Sequence, residues 1–464
     1  MIALTVNEIA AAMSGRVVGD GTVVVEGASD TDSRLIEPGG LFFAKPGEST
    51  DGHLFAPAAL QNGAAAIVVE RQLELDIPQI IVSDTVEALG ALATFVVSRV
   101  RELGNLTVIG ITGSNGKTTT KNLVAALCAR LGKTIAPRDS FNNEVGAPLT
   151  MLKLEYDTQY LVLELGSSGI GHIDRLTRMA TLDIGVVLMV GLAHAGEFGG
   201  VERTIQAKSE LISGVKAGGP VVLNADDPRV VSMADRATGP VVWFGHGLSA
   251  QVRASDVSLS MAGTAFTLEL PDGTSARVNF RVLGEHHVMN ALAMASVGVV
   301  LGCDIDLIVT TLESVVRAER WRMEIMGSDD VTIINDAYNA SPDSMAAALK
   351  TLAQLGNRQH RTVAVLGEMS ELGEYAGEEH DRLALLAVRL NVSQLVVVGS
   401  GARRLHISAM NEGSWDGESQ FFETTDDAYD YLVNFVQPGD LVLVKSSNSA
   451  GLRFLGDRLA EALS

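Results

Sequence analysis

The segment LTVIGITGSNGKTTTKNL, residues 106–123, restricts the possible folds more than any other stretch of the chain. Its first part is apolar and rich in β-branched residues, which reads as a buried strand; the part from Lys117 onward reads as a helix. Between them Gly113 and Gly116 let the backbone curl until its N–H groups converge. The helix N-terminus adds positive potential at the same point. A loop of this kind holds phosphate. Thr112, Gly113, Ser114, Asn115, Gly116, Lys117, Thr118 and Thr119 are therefore expected to cradle the phosphates of ATP, with Lys117 bridging the β- and γ-phosphates and Thr118 ligating Mg²⁺. The general pattern asks for glycine five residues before Gly116, where this chain has Ile111. The alternative is a glycine-rich turn that merely resembles such a loop.

The flanking pattern alternates strands with helices. After residue 104 come the helix 117–131, the strand YLVLELG, a helix near 171–180, the strand IGVVLMV, the helix 201–213 and the strand PVVLN. Near-continuous apolar strands separated by helices imply βαβ units in a mostly parallel sheet buried on both faces. Near residue 264 the rhythm changes to TAFTLEL-PDG-TSARVNFRV, an expected antiparallel hairpin. From about residue 318 a second alternation begins, with helices over 342–355, 379–390, 426–434 and 449–463 and no phosphate loop of its own. Residues 1–103 mix short strands, such as GLFFAKPG and AAAIVVE, with a helix at 85–103. The expected fold class is α/β in three domains: a mixed α/β domain over 1–103, a central P-loop ATPase domain with a parallel sheet over 104–317, and a doubly wound, Rossmann-like domain over 318–464. A hinge is expected near 316–322.

Charge narrows the partners. A net charge of −21 opposes nucleic-acid backbones and anionic membranes, so ATP needs a local positive site. Two cysteines, Cys128 and Cys303, cannot build a disulfide framework and read as small buried hydrophobes. The N-terminus MIALTVNEIA lacks the features of a signal peptide, and no apolar run approaches the ~18 residues that span a bilayer. The expected compartment is the cytoplasm.

Three further residues bear on chemistry. Glu164 ends a buried strand, where ligands bind in parallel sheets, and could hold Mg²⁺ directly or through water. His194 follows the next strand at the same level; a histidine there is ordinarily a satisfied loop residue. Lys208 lies in IQAKSEL, and a helical lysine is ordinarily a solvated one.

At this point the chain resembles the Mur ligase family, whose members build the peptide stem of peptidoglycan. The likeness runs the whole length, and within the family it is to the branch that joins D-Ala-D-Ala to UDP-MurNAc-tripeptide. DSRLIEPGGLFFAKPGESTDGHLF resembles the UDP-sugar-binding region and places Asp32, Ser33 and Arg34 near the uridine diphosphate. FNNEVGAPLT, with Asn142 and Asn143, is similar to that branch in particular. GEHHVMNALA implies Asn290 beside adenine, RWRME implies Arg322 on ATP, and NDAYNASPDSM implies Asp336 near the ribose and Asn339 in the substrate site. LGEMSELGEYAGEEH, with Glu368 and Met369, would help form the dipeptide site. The resemblance also changes the reading of Lys208: the matching lysine is carbamylated and its carbamate helps hold a second Mg²⁺. Lys117, Glu164, His194 and Lys208 then become the expected catalytic group. Thr118, Glu164, His194 and Lys208 become the expected metal set. The residues after Glu164, GSSGIGHI, depart from the family pattern, as does Ser341.

The implied activity is amide-bond formation through an acyl phosphate by a monomer. The alternatives are a sister ligase that adds a diamino acid, a folylpolyglutamate synthase, a P-loop switch or motor, and a noncatalytic UDP-sugar module. The third residue of the tripeptide is left open between diaminopimelate and lysine.

Overall fold

The computed structural model describes residues 1–47, 50–191, 200–315, 320–328, 330–357, 359–412 and 418–463. His194 and the 316–319 part of the expected hinge lie outside the described residues.

Among the described residues, three larger sheets organise the chain. In the central one, the phosphate-loop strand Thr107–Thr112 lies between Tyr160–Glu164 and Ile184–Val187, parallel to both. Residues alternate between two cores. Ile109, Ile111 and Val162 face the helices Lys117–Ala129 and Glu285–Val300, while Val108, Leu161 and Leu163 face the opposite side. Two apolar faces explain why these strands read as continuous apolar runs. The expected hairpin is present as Gly263–Glu269 and Ser275–Phe280, paired antiparallel at the sheet edge. Two strands not singled out in the sequence, Val241–Gly245 and Val252–Ser260, connect it to the parallel part.

The register of the central sheet places the site. Glu164 pairs with Ile111, and Thr112 with Val187, so a carboxylate ends one strand level with the start of the loop on its neighbour. Ile111 is fully buried inside the strand. The phosphate loop thus curls only from Gly113, and no glycine is required at 111.

The N-terminal sheet orders Arg16–Val18, Gln79–Ile81, Ala66–Val69, Leu41–Phe43 and Ser29–Asp30. The helix that follows it, Thr85–Leu103, buries Leu92, Val96 and Val100 in one core with Leu149, Met151 and Leu176 of the central body. Its docking ties the first body to the second through apolar burial. The C-terminal sheet runs Glu324–Gly327, Thr332–Asn335, Leu441–Lys445, Thr362–Leu366, Gln394–Val398, Ser419–Phe422; only its first strand is antiparallel. The first of its helices starts at Pro342, as expected, and Thr425–Phe435 begins one residue early; Ala376–Arg389 and Leu452–Ala462 each begin three residues from the expected start, and Arg403–Met410 is not among those expected. The last one begins at Leu452, after Asn448–Ala450 forms a 3₁₀ turn and Gly451 takes φ +73°.

Candidate active site

Gly116 caps the Lys117–Ala129 helix with φ +82°, and no side chain caps that helix. Its first-turn N–H groups are therefore available to an anion. A Cβ on Gly116 would stand 2.3 Å from Asn290 Oδ1, and one on Gly113 2.9 Å from Leu188 Cβ. Glycine is required at both positions for space, and at Gly116 for backbone conformation as well. The loop is pinned from below: Thr112 Oγ1 donates to Leu165 O at 2.8 Å, and Ser114 Oγ accepts from the Gly191 N–H at 2.8 Å.

Two adjoining cavities meet at this loop. The smaller, about 280 Å³, is lined by Ser114, Asn115, Gly116, Lys117, Thr118 and Thr119, by Glu164 and Asn290, and by Arg322, Asp336, Asn339 and Lys445 from the linker and C-terminal body. The larger, about 590 Å³, is walled by Asn143, Glu144, Gly166, Ser168, His172, Lys208 and Glu371. Lys117 and Asn142 belong to both walls.

Within the smaller cavity, Lys117 Nζ donates to Gly113 O at 2.7 Å, which ties the side chain back onto its own loop. Burial lowers the Lys117 pKa, with Glu164 opposing the shift and Arg322 adding to it. Thr118 Oγ1 lies 3.0 Å from Ser140 Oγ and accepts from Arg322 Nη2 at 3.1 Å. Asn142 Nδ2 donates to Glu164 Oε1 at 2.7 Å, whereas Glu164 Oε2 is buried with no hydrogen bond among the described residues. His286 Nδ1 and His287 Nε2, also on this wall, share that condition. Burial holds the His286 pKa down at about 4 and lowers that of His287, so both rings are neutral near pH 7. Three buried polar atoms without a hydrogen bond among the described residues thus belong to residues lining one cavity, as in a site for a polar ligand. On the far side Lys445 Nζ donates to Asp336 Oδ2 at 2.7 Å and to Asn339 O at 2.9 Å. Ser341 Oγ donates to Asn115 Oδ1 at 3.0 Å and links the C-terminal body directly to the phosphate loop.

Lys208 is buried in the larger cavity, and burial drives its pKa well below the usual range, with the charge of Lys117 adding to the shift. It is not the solvated lysine that a helical position ordinarily implies. Asn143 faces the same space while its Oδ1 accepts from the N–H groups of Val145 and Gly146, which starts the Gly146–Met151 helix.

Other residues singled out from the sequence stand apart. Asp32, Ser33 and Arg34 form a local turn on the first body, where Asp32 accepts from the Arg34 side chain, and none of the three lines either cavity. Glu368 and Met369 also lie outside both walls; the Met369 N–H donates to His380 Nε2 at 3.3 Å. Glu371, two residues on, does reach the larger cavity. Sequence reasoning passed over Ser140, His286, His287, Tyr338 and Lys445. The adjacent histidines one turn before Asn290 were the one available signal. It also set aside Gly166 to His172 for departing from the family pattern, yet Gly166, Ser167, Ser168, Gly171 and His172 line the larger cavity.

Comparison with known proteins accords with this geometry. The Mur ligase family catalytic domain matches residues 30–103, the Mur ligase middle domain 111–298 and the Mur ligase glutamate ligase domain 321–448. The UDP-N-acetylmuramoyl-tripeptide–D-alanyl-D-alanine ligase of Mycobacterium bovis is 42% identical over 99% of this chain and 98% of its own. The crystal structure of MurF from Acinetobacter baumannii superposes with a TM-score of 0.90 at 31% identity, covering 99% of both chains. That of MurF ligase from Thermotoga maritima in complex with ADP gives 0.83 at 27% identity, covering 95% of this chain and 98% of the other. With a full-length relative at this identity and three consecutive family domains along its length, the chain belongs to the Mur ligase family.

Proposed function

We propose that this chain joins the terminal carboxylate of UDP-MurNAc-tripeptide to the amine of D-Ala-D-Ala at the expense of ATP. The observation that carries the reading is the junction of the two cavities. Lys117 and Asn142 line both, so a triphosphate on the loop presents its γ-phosphate to a carboxylate held in the larger space.

A carboxylate is inert toward an amine because oxide is a poor leaving group. In the first step a carboxylate oxygen attacks the γ-phosphorus, and the electron pair of the breaking bond leaves with ADP. The dipeptide amine, having lost its proton, then attacks the acyl phosphate carbonyl, and the tetrahedral intermediate collapses with release of phosphate. Two anions must approach, so electrostatic positioning dominates the rate. Lys117 and the first-turn N–H groups supply it, and Arg322 reaches the same phosphates from the linker. Asn290 faces the base, Asp336 the ribose, and the C-terminal wall keeps water from the acyl phosphate.

The residues fit Mg²⁺. Glu164 offers a buried oxygen with no hydrogen bond among the described residues, and Thr118 offers a hydroxyl on a residue lining the same cavity. A neutral Lys208 amine is competent to add CO₂, and its carbamate would be a third, anionic oxygen donor; His194 is assigned to the same set. When bound, two such ions would neutralise charge between the phosphates and the attacking carboxylate.

Asp32, Ser33 and Arg34 are assigned to the uridine diphosphate, and Asn142, Asn143, Asn339, Glu368 and Met369 to the peptide substrates. The domains are 1–103, 104–317 and 318–464. The protein acts as a cytoplasmic monomer, and among the described residues no helix is long and apolar enough to cross a membrane.

Phosphate release with UDP-MurNAc-tripeptide and a panel of amines tests the proposal. Strict dependence on D-Ala-D-Ala is expected. Release with diaminopimelate or lysine as acceptor, or with no acceptor, overturns it.

A further inference from the structure

Two linker residues, Trp321 and Met323, have backbone φ of +60° and +51°. Neither side chain favours the left-handed region, so the surroundings must hold the backbone there. Arg322, between them, is the residue that reaches Thr118 and lies over the Tyr338 ring at 4.1 Å.

The holding contacts can be traced. The Met323 N–H donates to Asp336 Oδ1 at 3.0 Å, the Trp321 N–H to Glu324 Oε2 at 2.9 Å, and the Tyr338 N–H to Trp321 O at 3.1 Å. The Trp321 indole Nε1–H donates to both carboxylate oxygens of Asp457, at 3.0 and 3.1 Å. Asp457 is on the last helix, Leu452–Ala462, far from Arg322 in sequence. It also accepts from Asn335 Nδ2 at 3.2 Å and Arg320 Nη2 at 3.0 Å, which fixes it against strand and linker together. Around the indole stand Arg320 on its face at 4.6 Å and Phe454 at its edge at 5.9 Å.

We propose that Asp457, acting through the Trp321 indole, is the positioning residue that aims Arg322 at the phosphate loop. A left-handed residue on each side sets the direction in which the Arg322 side chain leaves the chain. Releasing the indole lets the Trp321 backbone return to an ordinary region, which rotates the following peptide and turns the guanidinium from Thr118. The strain at Trp321 is thus offset by a bond from the opposite end of the C-terminal body. The bridge makes the nucleotide contact conditional on that body being folded onto the linker. The inference rests on the assignment of Arg322 to ATP.

Steady-state kinetics on the full chain with W321F, D457N, R322A and the W321F/R322A double variant test it, with thermal midpoints recorded for each. Phenylalanine keeps an aromatic ring and removes the donor together with the pyrrole half of the indole; asparagine keeps the shape and removes the charge. W321F and D457N should each raise KM for ATP about five- to tenfold, within the net worth of one ordinary hydrogen bond, and leave KM for the UDP-linked substrate unchanged. In the R322A background W321F should cost nothing further, because both act on one contact. A merely structural role gives losses that multiply in the double variant, and that result overturns the proposal. Wild-type KM in W321F and D457N with a raised value in R322A overturns the bridge alone. Wild-type KM in R322A overturns the nucleotide assignment and the bridge with it.

Discussion

Replacing Lys208 by methionine separates stability from activity. Lys208 is 4% exposed, and the lowered pKa of its amine means that the folded chain sheds a proton that the unfolded chain keeps. For a depressed lysine the sign is unfavourable below the unfolded value near 10.4. Between the folded and unfolded values, stability rises with pH at about 1.4 kcal/mol per unit, and above the unfolded value the deficit is gone. Methionine keeps the four-atom unbranched stem without the terminal nitrogen and has no proton to lose. K208M should therefore exceed the parent in stability near neutral pH. Its advantage should shrink by about 1.4 kcal/mol per unit through that window. The shift on Lys117 is present in both proteins and largely cancels. Urea unfolding at successive pH values in CO₂-free buffer reads the difference directly. Phosphate release by K208M should meanwhile fall by about 10²–10³, the loss expected for an electrostatic group at the reacting centre. A stability difference that stays constant from about pH 8 to about pH 10 would refute the argument, since it would show that Lys208 carries its proton in both states.

Asn142→Ala frees Glu164 Oε1 from its 2.7 Å donor, and the Mg²⁺ concentration for half-maximal activity should rise about tenfold, measured by metal titration of phosphate release. Gly116→Ala puts a Cβ 2.3 Å from Asn290 Oδ1 at φ +82°; calorimetry should find no ATP binding, and stability should drop by about 1–3 kcal/mol. Lys445→Met leaves the buried carboxylate of Asp336 without its 2.7 Å partner, which should cost about 3–5 kcal/mol in thermal unfolding, with part recovered in K445M/D336N.

How far the site was legible depends on how local each feature is. The phosphate loop and Glu164 were legible because strand, loop and helix are consecutive and each ends where an apolar run ends. The hairpin at 263–280 was legible because its turn lies between two alternating runs. His286, His287 and Lys445 were not, because their roles come from facing a cavity that segments far apart in the chain close together. Glu368 and Met369 line neither cavity, and from the same segment it is Glu371, at φ +67°, that reaches the larger one; which residue of a turn enters a cavity is not legible in sequence. The burial of Lys208 was hidden for a similar reason. Lys208 shares the buried face of its helix with Thr204, Leu211 and Ile212, and a lysine in such a sequence does not announce that the surrounding elements will wall it off from water.

By itself the sequence determined the chemistry a phosphate would meet: Gly113, Gly116, Lys117 and Thr118 are set by backbone conformation and spacing over a few residues, where local sterics leave little choice. It determined the parallel sheet too, since strands with two apolar faces have few other places to go. Only the tertiary structure decided that Asn142 clamps Glu164, that Ser341 reaches Asn115 and that the Trp321 indole meets Asp457. Each of those contacts joins residues whose separation along the chain carries no information about distance until strand register and body-on-body packing have fixed it.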